Sequence, residues 1–441
     1  MTLRTAASLA LSAVVLHLVL IQPNHPAALA WDALLLFPLE LPVILLALAA
    51  ARPGRIGTAL RIFIVSALTL IALIKTADFA MFTALGRGFN PISDMPLVAA
   101  ITNLLTGSVG PVLATLAILG SILAFALLAA LLWWATGVWL RLDLPLRIAR
   151  VSLAGALLAA GIATADIGHT SGRWELPVPA PGAAFTARVG LERIEMALHT
   201  VEDLRAFRLA AVNDRFRDRD GLLDAIDRDV LVIFVESYGR TSLDTPYFAE
   251  VHRATLEAAE ARLDGLGLAM RSGLVASPTR GGQSWLAHAT LANGLWIDNQ
   301  TTYGAALASG RDSLFHIAAR SGFRTAAVMP AITMDWPESA TMGFDTVLAA
   351  ADLGYRGKPF NWVTMPDQFT LEALDRKLRT DPDDPRPLFA QVALVSSHAP
   401  WVPVPELLDW DSLGDGEVFD AMATAGDSPE TVWRDHDRGR F

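Results

Sequence analysis

The chain has 441 residues, 53% hydrophobic and 18% charged, with a formal net charge of −10 and no cysteine. The acidic balance, together with the lack of any run rich in Lys and Arg, excludes nucleic acid as an expected partner. The lack of cysteine excludes disulfides, thiolate catalysis and cysteine-based zinc sites. Apolar residues dominate positions 1–165, whereas positions 186–441 carry most of the charge. We therefore predict a membrane half followed by a water-soluble half.

The membrane half is predicted to contain five helices. A helix needs about 20 consecutive apolar residues to cross a bilayer. Five segments qualify, at about residues 6–22, 30–51, 57–75, 112–139 and 148–166. Residues 96–106 are predicted to form a short interfacial helix that ends before Gly107, Gly110 and Pro111. The alternative for the first segment is a cleaved signal peptide, but no small-residue cleavage site follows it. The prediction is a transmembrane domain over residues 1–166.

The positive residues predict the orientation of these helices. They collect before the first segment and beside the second and fourth connections: Arg4, Arg52, Arg55, Arg61, Arg141, Arg147 and Arg150. The N-terminus is therefore expected inside the cell, and five crossings place everything after residue 166 outside. Glu40 lies within the predicted second span. It is either a functional intramembrane carboxylate or a group that a neighbouring helix satisfies.

Residues 167–228 are predicted to connect the two halves. The first part, up to residue 185, is rich in Pro and Gly and predicts an extended linker. From residue 186, apolar residues recur every three or four positions among many charges, which is typical of an amphipathic helix. We expect this helix to pack on the globular domain or on the membrane surface.

The soluble half, residues 229–441, begins with "DVLVIFVESYGR". The apolar run 230–235 predicts a strand buried on both faces, as in a parallel sheet. Glu236 then falls at the carboxyl end of the strand, where open α/β sheets bind their ligands. This position suits a metal-binding carboxylate. The alternative is a Glu that caps the next helix or pairs with Arg240.

The stretch "SPTRGGQSWLAHATLANG", residues 277–294, predicts a helix that Gly294 ends. It follows "GLGLAMRSGLVA", residues 265–276, which we predict as the next strand. Ser284 would lie at the helix N-terminus, where free N–H groups and the helix dipole favour an anion. A phosphate or sulfate ester attacked by Ser284 would be stabilised there. The alternative is an ordinary N-cap serine.

The rest of the chain keeps an alternating α/β pattern. Residues 313–330 predict a helix, a glycine turn and a strand, and residues 367–378 predict a helix. The apolar run within 387–401 predicts a long strand that ends in "SSH". His398 therefore occupies the same edge of the sheet as Glu236. The alternative is a purely structural histidine.

Together, "VESYGR", the Ser284 helix, "AARSGFRTAAVMP" and "SSHAPW" resemble the alkaline-phosphatase-like sulfatase superfamily. The chain is most similar to its membrane-bound branch, the lipoteichoic acid synthases and related phosphoglycerol and phosphoethanolamine transferases. The resemblance implies an alkaline-phosphatase-like α/β domain with a mostly parallel sheet after five transmembrane helices. It implies that Glu236 binds a divalent metal and that Ser284 is both nucleophile and metal ligand. It also implies that His398 contacts the substrate and that Trp336 in "MDWPES" lines the substrate site.

The same resemblance implies a metal-dependent transferase or hydrolase that acts on an anionic lipid head group or an envelope glycan. The metal would be Mn, Zn or Mg. The expected location is the inner membrane of a bacterial cell, with several crossings and a periplasmic C-terminal domain.

Two departures from the family pattern keep alternatives open. Formylglycine-forming sulfatases need Pro two positions and Arg four positions after the reactive residue, and Ser284 is followed by "WLAH". An unmodified serine favours phosphoryl chemistry over a sulfuric ester hydrolase, which is the first alternative. The family also completes its metal site with a downstream Asp-His pair. The last Asp-His here, Asp435 and His436, has no strand before it. We therefore expect a domain that is incomplete at its C-terminus, and the second alternative is an inactive membrane-anchored binding module.

Overall fold

The computed structural model of the chain describes residues 3–98, 102, 106, 110–142, 144–279, 282–380, 384–398, 401–403 and 405–423. The predicted interfacial helix at 96–106 lies mostly outside the described residues. The chain forms two compact units, Met1–Arg205 and Ala206–Phe441. The division falls within the predicted connector, and the predicted domain bounds stay a prediction.

The N-terminal unit is helical. Its helices are α1 (Leu3–Leu20), α2 (Glu40–Ala50), α3 (Arg55–Leu85), α4 (Pro111–Leu140), α5 (Leu146–Thr170) and α6 (Phe185–Val212), of which α6 crosses the unit boundary. Two 3-10 turns, Pro26–Ala28 and Trp31–Leu35, precede α2. Helix α3 ends at Gly86 in the left-handed conformation, and α4 begins with Pro111, whose missing N–H is not needed in a first turn.

Four described helices, α1, α3, α4 and α5, are long and apolar enough to cross a bilayer, which indicates a membrane protein. The prediction of a continuous helix over 30–51 was wrong. Helix α2 has only 11 residues, or about 16 Å, against about 30 Å of hydrocarbon. Just before α2, Pro38 forms an isolated β-bridge with Ala183. A helix does not continue through this point, because proline disfavours helical backbone in the residue before it. A fifth crossing stays a prediction.

Buried polar side chains gather at one end of this unit. The ammonium of Lys75, late in α3, donates to the carbonyl of Leu20 at the end of α1 and to the hydroxyl of Thr186 at the start of α6. Glu40 at the start of α2 accepts the N–H of Ala187 at 2.7 Å through one carboxylate oxygen. Helices α1 and α3 therefore run towards this end and α2 runs away from it. The other carboxylate oxygen of Glu40 is buried and has no hydrogen-bond partner among the described residues, so both interpretations of Glu40 stay predictions.

Helix α6 packs on the helical unit through a buried ion pair. Arg193 on α6 and Asp78 on α3 are 2.8 Å apart, and their side chains are 9% and 0% exposed. Asp78 also accepts the N–H of Phe89 at 2.8 Å. We had expected this helix to pack on the globular domain or on the membrane surface; in the structure its first part packs against α3 of the helical unit. The local sequence pattern does not reveal this packing, because the partner of Arg193 lies on another helix, far away in sequence.

Replacing Arg193 with Met is expected to lower the free energy of unfolding of the N-terminal unit by about 3–5 kcal/mol, because Asp78 would keep a buried charge without its partner. The matched control is Arg173→Met, which breaks the exposed pair with Glu195 and should cost about 1 kcal/mol or less. Thermal unfolding of the detergent-solubilised protein measures both. Equal shifts for the two variants would contradict the assignment.

The C-terminal unit contains a parallel sheet of four described strands, β1 (Val230–Val235), β2 (Arg324–Met329), β3 (Thr346–Ala349) and β4 (Leu388–Leu394), in the order β1-β4-β2-β3. All three pairings are parallel. The helices are α7 (Thr241–Asp244), α8 (Pro246–Gly265), α9 (Trp285–Asn293), α10 (Gln300–Ala308), α11 (Leu314–Arg320), α12 (Ala350–Leu353), α13 (Asp367–Leu374) and α14 (Asp420–Ala423). The predicted α/β class is confirmed.

Helices cover both faces of this sheet. Alternate residues of β4 point to opposite sides. On one side, Leu388 and the alternate residues that share its face of β4 pack with Phe369 of α13. On the other side, Phe389 packs with Phe315 of α11 and Ala292 of α9. The layers fix α9 over the sheet, so the start of α9 is held near the carboxyl ends of the strands.

Two local predictions about the sheet were wrong. Strand β1 has the predicted bounds but lies at an edge of the described sheet, so Ile233 and Val235 are 41% and 49% exposed instead of buried on both faces. The segment 265–276 forms no strand; its apolar residues, such as Leu274 and Val275, are exposed. An apolar run is not enough for a strand, because a strand also needs a neighbour for its backbone hydrogen bonds.

Candidate active site

Glu236 directly follows β1, as predicted, at the carboxyl edge of the sheet. Its side chain is 15% exposed. Its carbonyl accepts a hydrogen bond of 2.8 Å from the hydroxyl of Ser397, in the turn after β4. Strands β1 and β4 are neighbours, so this bond joins the ends of two adjacent strands. The predicted metal residue and the segment that carries His398 therefore lie side by side.

Ser284 is the N-cap residue of α9, and Gly294 ends the helix in the left-handed conformation, as predicted. Ser284 itself has helical φ and ψ of −57° and −25°, and its side chain makes no capping hydrogen bond. An ordinary N-cap serine has extended backbone and accepts an N–H from the next turn. Ser284 therefore occupies the N-cap position, but its side chain does not cap the helix as an ordinary N-cap serine would. Its half-buried hydroxyl makes no hydrogen bond to any residue that the structure describes.

His288 links Ser284 to Glu236, and we had not predicted it. It lies one turn after Ser284, and its N–H donates to the Ser284 carbonyl at 3.1 Å. Its ring is 3.9 Å from that of Phe234 on β1, and its Nε2 is 3.9 Å from a carboxylate oxygen of Glu236. Burial lowers the pKa of His288 to about 4, so the imidazole is neutral near pH 7. The spacing of four from Ser284 was the sequence signal, because residues i and i+4 share a helix face.

His398 sits in the turn after β4. A carboxylate oxygen of Asp367, at the start of α13, accepts the N–H groups of Val395 and Ser396 at 2.8 and 2.9 Å and so fixes the turn. The His398 ring lies edge-on to Trp362, with 4.9 Å between ring centroids. The predicted substrate residue is therefore held at the same edge as Glu236.

Trp336 follows β2 and packs partly on the sheet, against a cluster that includes Met329 and Ala393. Because β2 is parallel to β4, the segment after it leaves the sheet at the same edge as His398. The position of Trp336 suits the rim of a site, and its contact with a substrate stays a prediction.

Backbone strain flanks the two central candidates. Four described residues other than glycine have a positive φ between 57° and 63°: Asp218, Ser237, Gln283 and Asn361. Ser237 directly follows Glu236, and Gln283 directly precedes Ser284. A non-glycine residue in this region costs about 1–3 kcal/mol and tends to occur at functional sites, where surrounding contacts enforce it. The strain is a separate observation that favours this edge as the site.

The described residues do not form a complete metal site, so the metal stays a prediction. They contain no group of three or more His, Asp or Glu side chains that could hold an ion. They do bring the Glu236 carboxylate and the His288 imidazole within 3.9 Å, next to the helix start at Ser284. These donors fit one side of a divalent-metal site. Asp435 and His436 lie outside the described residues.

A comparison with protein families matches residues 228–407 to the family model described as Sulfatase. The matched range begins just before β1 and ends after β4, so it includes Glu236, Ser284, Trp336 and His398. No curated protein and no solved structure matches the chain. The chain therefore carries a sulfatase-family, alkaline-phosphatase-like domain at residues 228–407, preceded by an N-terminal region with four long apolar helices.

Proposed function

We propose that the protein is a membrane-bound, metal-dependent transferase or hydrolase that moves a phosphoryl-type group through Ser284. The observation that carries the proposal is that Ser284 lies at the start of α9 and its side chain makes no capping hydrogen bond, one turn before His288, whose ring lies beside the Glu236 carboxylate. A hydroxyl kept out of the cap is available for chemistry. The N–H groups of the first turn favour the negative charge that develops on an attacked phosphate.

In the proposed reaction, Ser284 Oγ attacks the phosphorus of a phosphodiester in a lipid head group. A new P–O bond forms, the bond to the lipid alcohol breaks, and solvent takes the serine proton and returns one to the departing alcohol. A glycan hydroxyl or water then attacks the phosphoserine and releases Ser284. A divalent cation at Glu236 and Ser284 would supply positive charge that favours the serine alkoxide. His398 binds the phosphate oxygens, and Trp336 borders the substrate.

The sulfuric ester hydrolase is the second candidate, because the matched family is named for that activity. Against it, "SWLAH" at 284–288 lacks the Pro and the Arg that formylglycine formation requires after the reactive residue. Purified full-length protein, given a chromogenic aryl phosphodiester and the matching aryl sulfate with Mn²⁺, is expected to cleave only the phosphodiester. Cleavage of the sulfate alone would replace the proposal with the sulfatase. Failure to cleave either ester or to bind metal would favour an inactive binding module.

Phosphatidylglycerol and phosphatidylethanolamine vesicles then separate the two donor classes. Release of diacylglycerol from one of them, dependent on Ser284, identifies the head group. Release from neither, with intact activity on the aryl phosphodiester, would assign the enzyme to a soluble or glycan-linked ester instead.

We further propose that the catalytic domain lies outside the cytoplasm of a bacterial cell. The chain has no cysteine, so single cysteines report position without background. An impermeant maleimide should label Val275→Cys, which is 95% exposed, on intact cells. It should label Pro53→Cys, in the connection after α2, only after permeabilisation. The reverse labelling pattern would place the domain inside.

A further inference from the structure

The strongest unassigned group near the site is the imidazole of His288. It is 8% exposed, and its ring is held against Phe234. Its nearest charged neighbour among the described residues is Glu236, with a carboxylate oxygen 3.9 Å from Nε2. The separation of 3.9 Å from Glu236 is too long for a hydrogen bond. An imidazole and a carboxylate held at this distance leave room for a third group that both can bind.

The same distance suits two ligands of one ion. Zinc lies about 2.0–2.1 Å from a histidine nitrogen and about 2.0–2.2 Å from a carboxylate oxygen, so two such donors are at most about 4.3 Å apart. At a tetrahedral angle they are about 3.4 Å apart. The observed 3.9 Å between Nε2 of His288 and Oε1 of Glu236 lies within the limit. A shift of about half an ångström in one side chain reaches the tetrahedral value.

Ser284 completes one side of this arrangement. The hydrogen bond from the His288 N–H to the Ser284 carbonyl shows that the helical turn is already formed between them. Side chains four residues apart on a helix have Cβ atoms about 5–6 Å apart on one face. Ser284 and His288 therefore share one face of α9, and the Glu236 carboxylate lies beside His288 on that face.

We propose that His288 is a ligand of the divalent cation, together with Glu236 and Ser284, and that it makes the site favour Zn²⁺ over Mg²⁺. Carboxylate and hydroxyl oxygens alone suit Mg²⁺, whereas an imidazole nitrogen suits Zn²⁺ and other transition metals. The inference rests on the proposed function, since it concerns the same site. It assigns to this chain a residue and a metal preference that the family match does not contain.

The test measures metal binding directly. Full-length protein in detergent, stripped with EDTA, is titrated with Zn²⁺ and with Mg²⁺ by calorimetry. We expect the wild type to bind Zn²⁺ more tightly than Mg²⁺, and His288→Gln to lose about 10-fold or more in Zn²⁺ affinity with little change for Mg²⁺. His252→Gln is the matched control, because the His252 ring on α8 hydrogen-bonds the Ser242 hydroxyl on α7. The metal affinity of this variant should equal that of the wild type.

A second variant separates ligation from folding. His288→Cys offers a thiolate at the same place, and its Co²⁺ form should show a thiolate-to-cobalt charge-transfer band that wild type lacks. This band cannot arise from a merely structural role. A His288→Gln protein with wild-type Zn²⁺ affinity, or a Co²⁺-loaded Cys variant without the band, would overturn the proposal.

These outcomes are separable from failure of the proposed function. If His288→Gln binds Zn²⁺ normally while Ser284→Ala remains inactive, only the role of His288 is wrong. If the wild type binds no divalent metal but cleaves phosphodiesters, both the metal ligands and their preference are wrong, while the Ser284 nucleophile stands.

Discussion

Replacing Ser284 with Ala is expected to reduce phosphodiester turnover by about 10³-fold or more, because the variant has no oxygen with which to attack phosphorus. The free energy of unfolding should change by only a few tenths of a kcal/mol, since the Ser284 side chain makes no capping hydrogen bond. Loss of activity with retained stability is the combination that separates a nucleophile from a cap. Turnover assays and thermal unfolding of the same preparation measure both.

The matched control for this variant lies seven residues earlier. Ser277 is exposed, and among the described residues its hydroxyl hydrogen-bonds Thr279 alone, so Ser277→Ala should leave kcat and KM unchanged. Ser284→Thr keeps a hydroxyl and should retain part of the activity. If Ser284→Ala turned over substrate like the wild type, Ser284 would lose its role. If it unfolded like a cap mutant, the cap interpretation would return.

Replacing Glu236 with Gln is expected to weaken divalent-metal binding by about 10-fold or more, with a parallel loss of turnover at limiting metal. The substitution keeps the size of the side chain but removes its charge, and the bond between the Glu236 carbonyl and Ser397 involves only the backbone of Glu236. Folding should therefore be little affected. Titration of activity against added Mn²⁺ or Zn²⁺ should show partial rescue at high concentration.

Glu257→Gln on the exposed side of α8 is the control of equal charge change. It should leave the metal titration unchanged, because only a group at the site alters the local affinity. A Glu236→Gln protein with the metal dependence of the wild type would show that the carboxylate at the end of β1 holds no ion.

The sequence predicted which residues lie at the carboxyl ends of the strands better than it predicted which segments form strands. Glu236 and His398 were placed together from two apolar runs alone, because parallel strands end at one edge whatever lies elsewhere. The start of α9 was also predictable, since Gly294 and the apolar spacing fix its ends. By contrast, the strand predicted at 265–276 depended on a neighbour that no local pattern reveals, and the described segment is exposed.

Long-range polar pairing was the other limit. The amphipathic pattern of α6 did not reveal that Arg193 is buried against Asp78, which lies 115 residues away in sequence. His288 was overlooked for a related reason. Its importance depends on the approach of β1, which brings Glu236 to the same face of α9 as Ser284. A periodic sequence pattern shows which face of a helix a residue occupies. Which residues pack against that face is decided by the tertiary structure, which the pattern does not show.

The most direct measurement of the central claim is peptide mass spectrometry after rapid acid quench of the protein with its phosphodiester donor. The account predicts a covalent phosphoryl-type adduct on the Ser284 side chain that forms during turnover and disappears when acceptor is added. An adduct on another hydroxyl of the stretch 277–290, or steady turnover with Ser284 never modified, would contradict it.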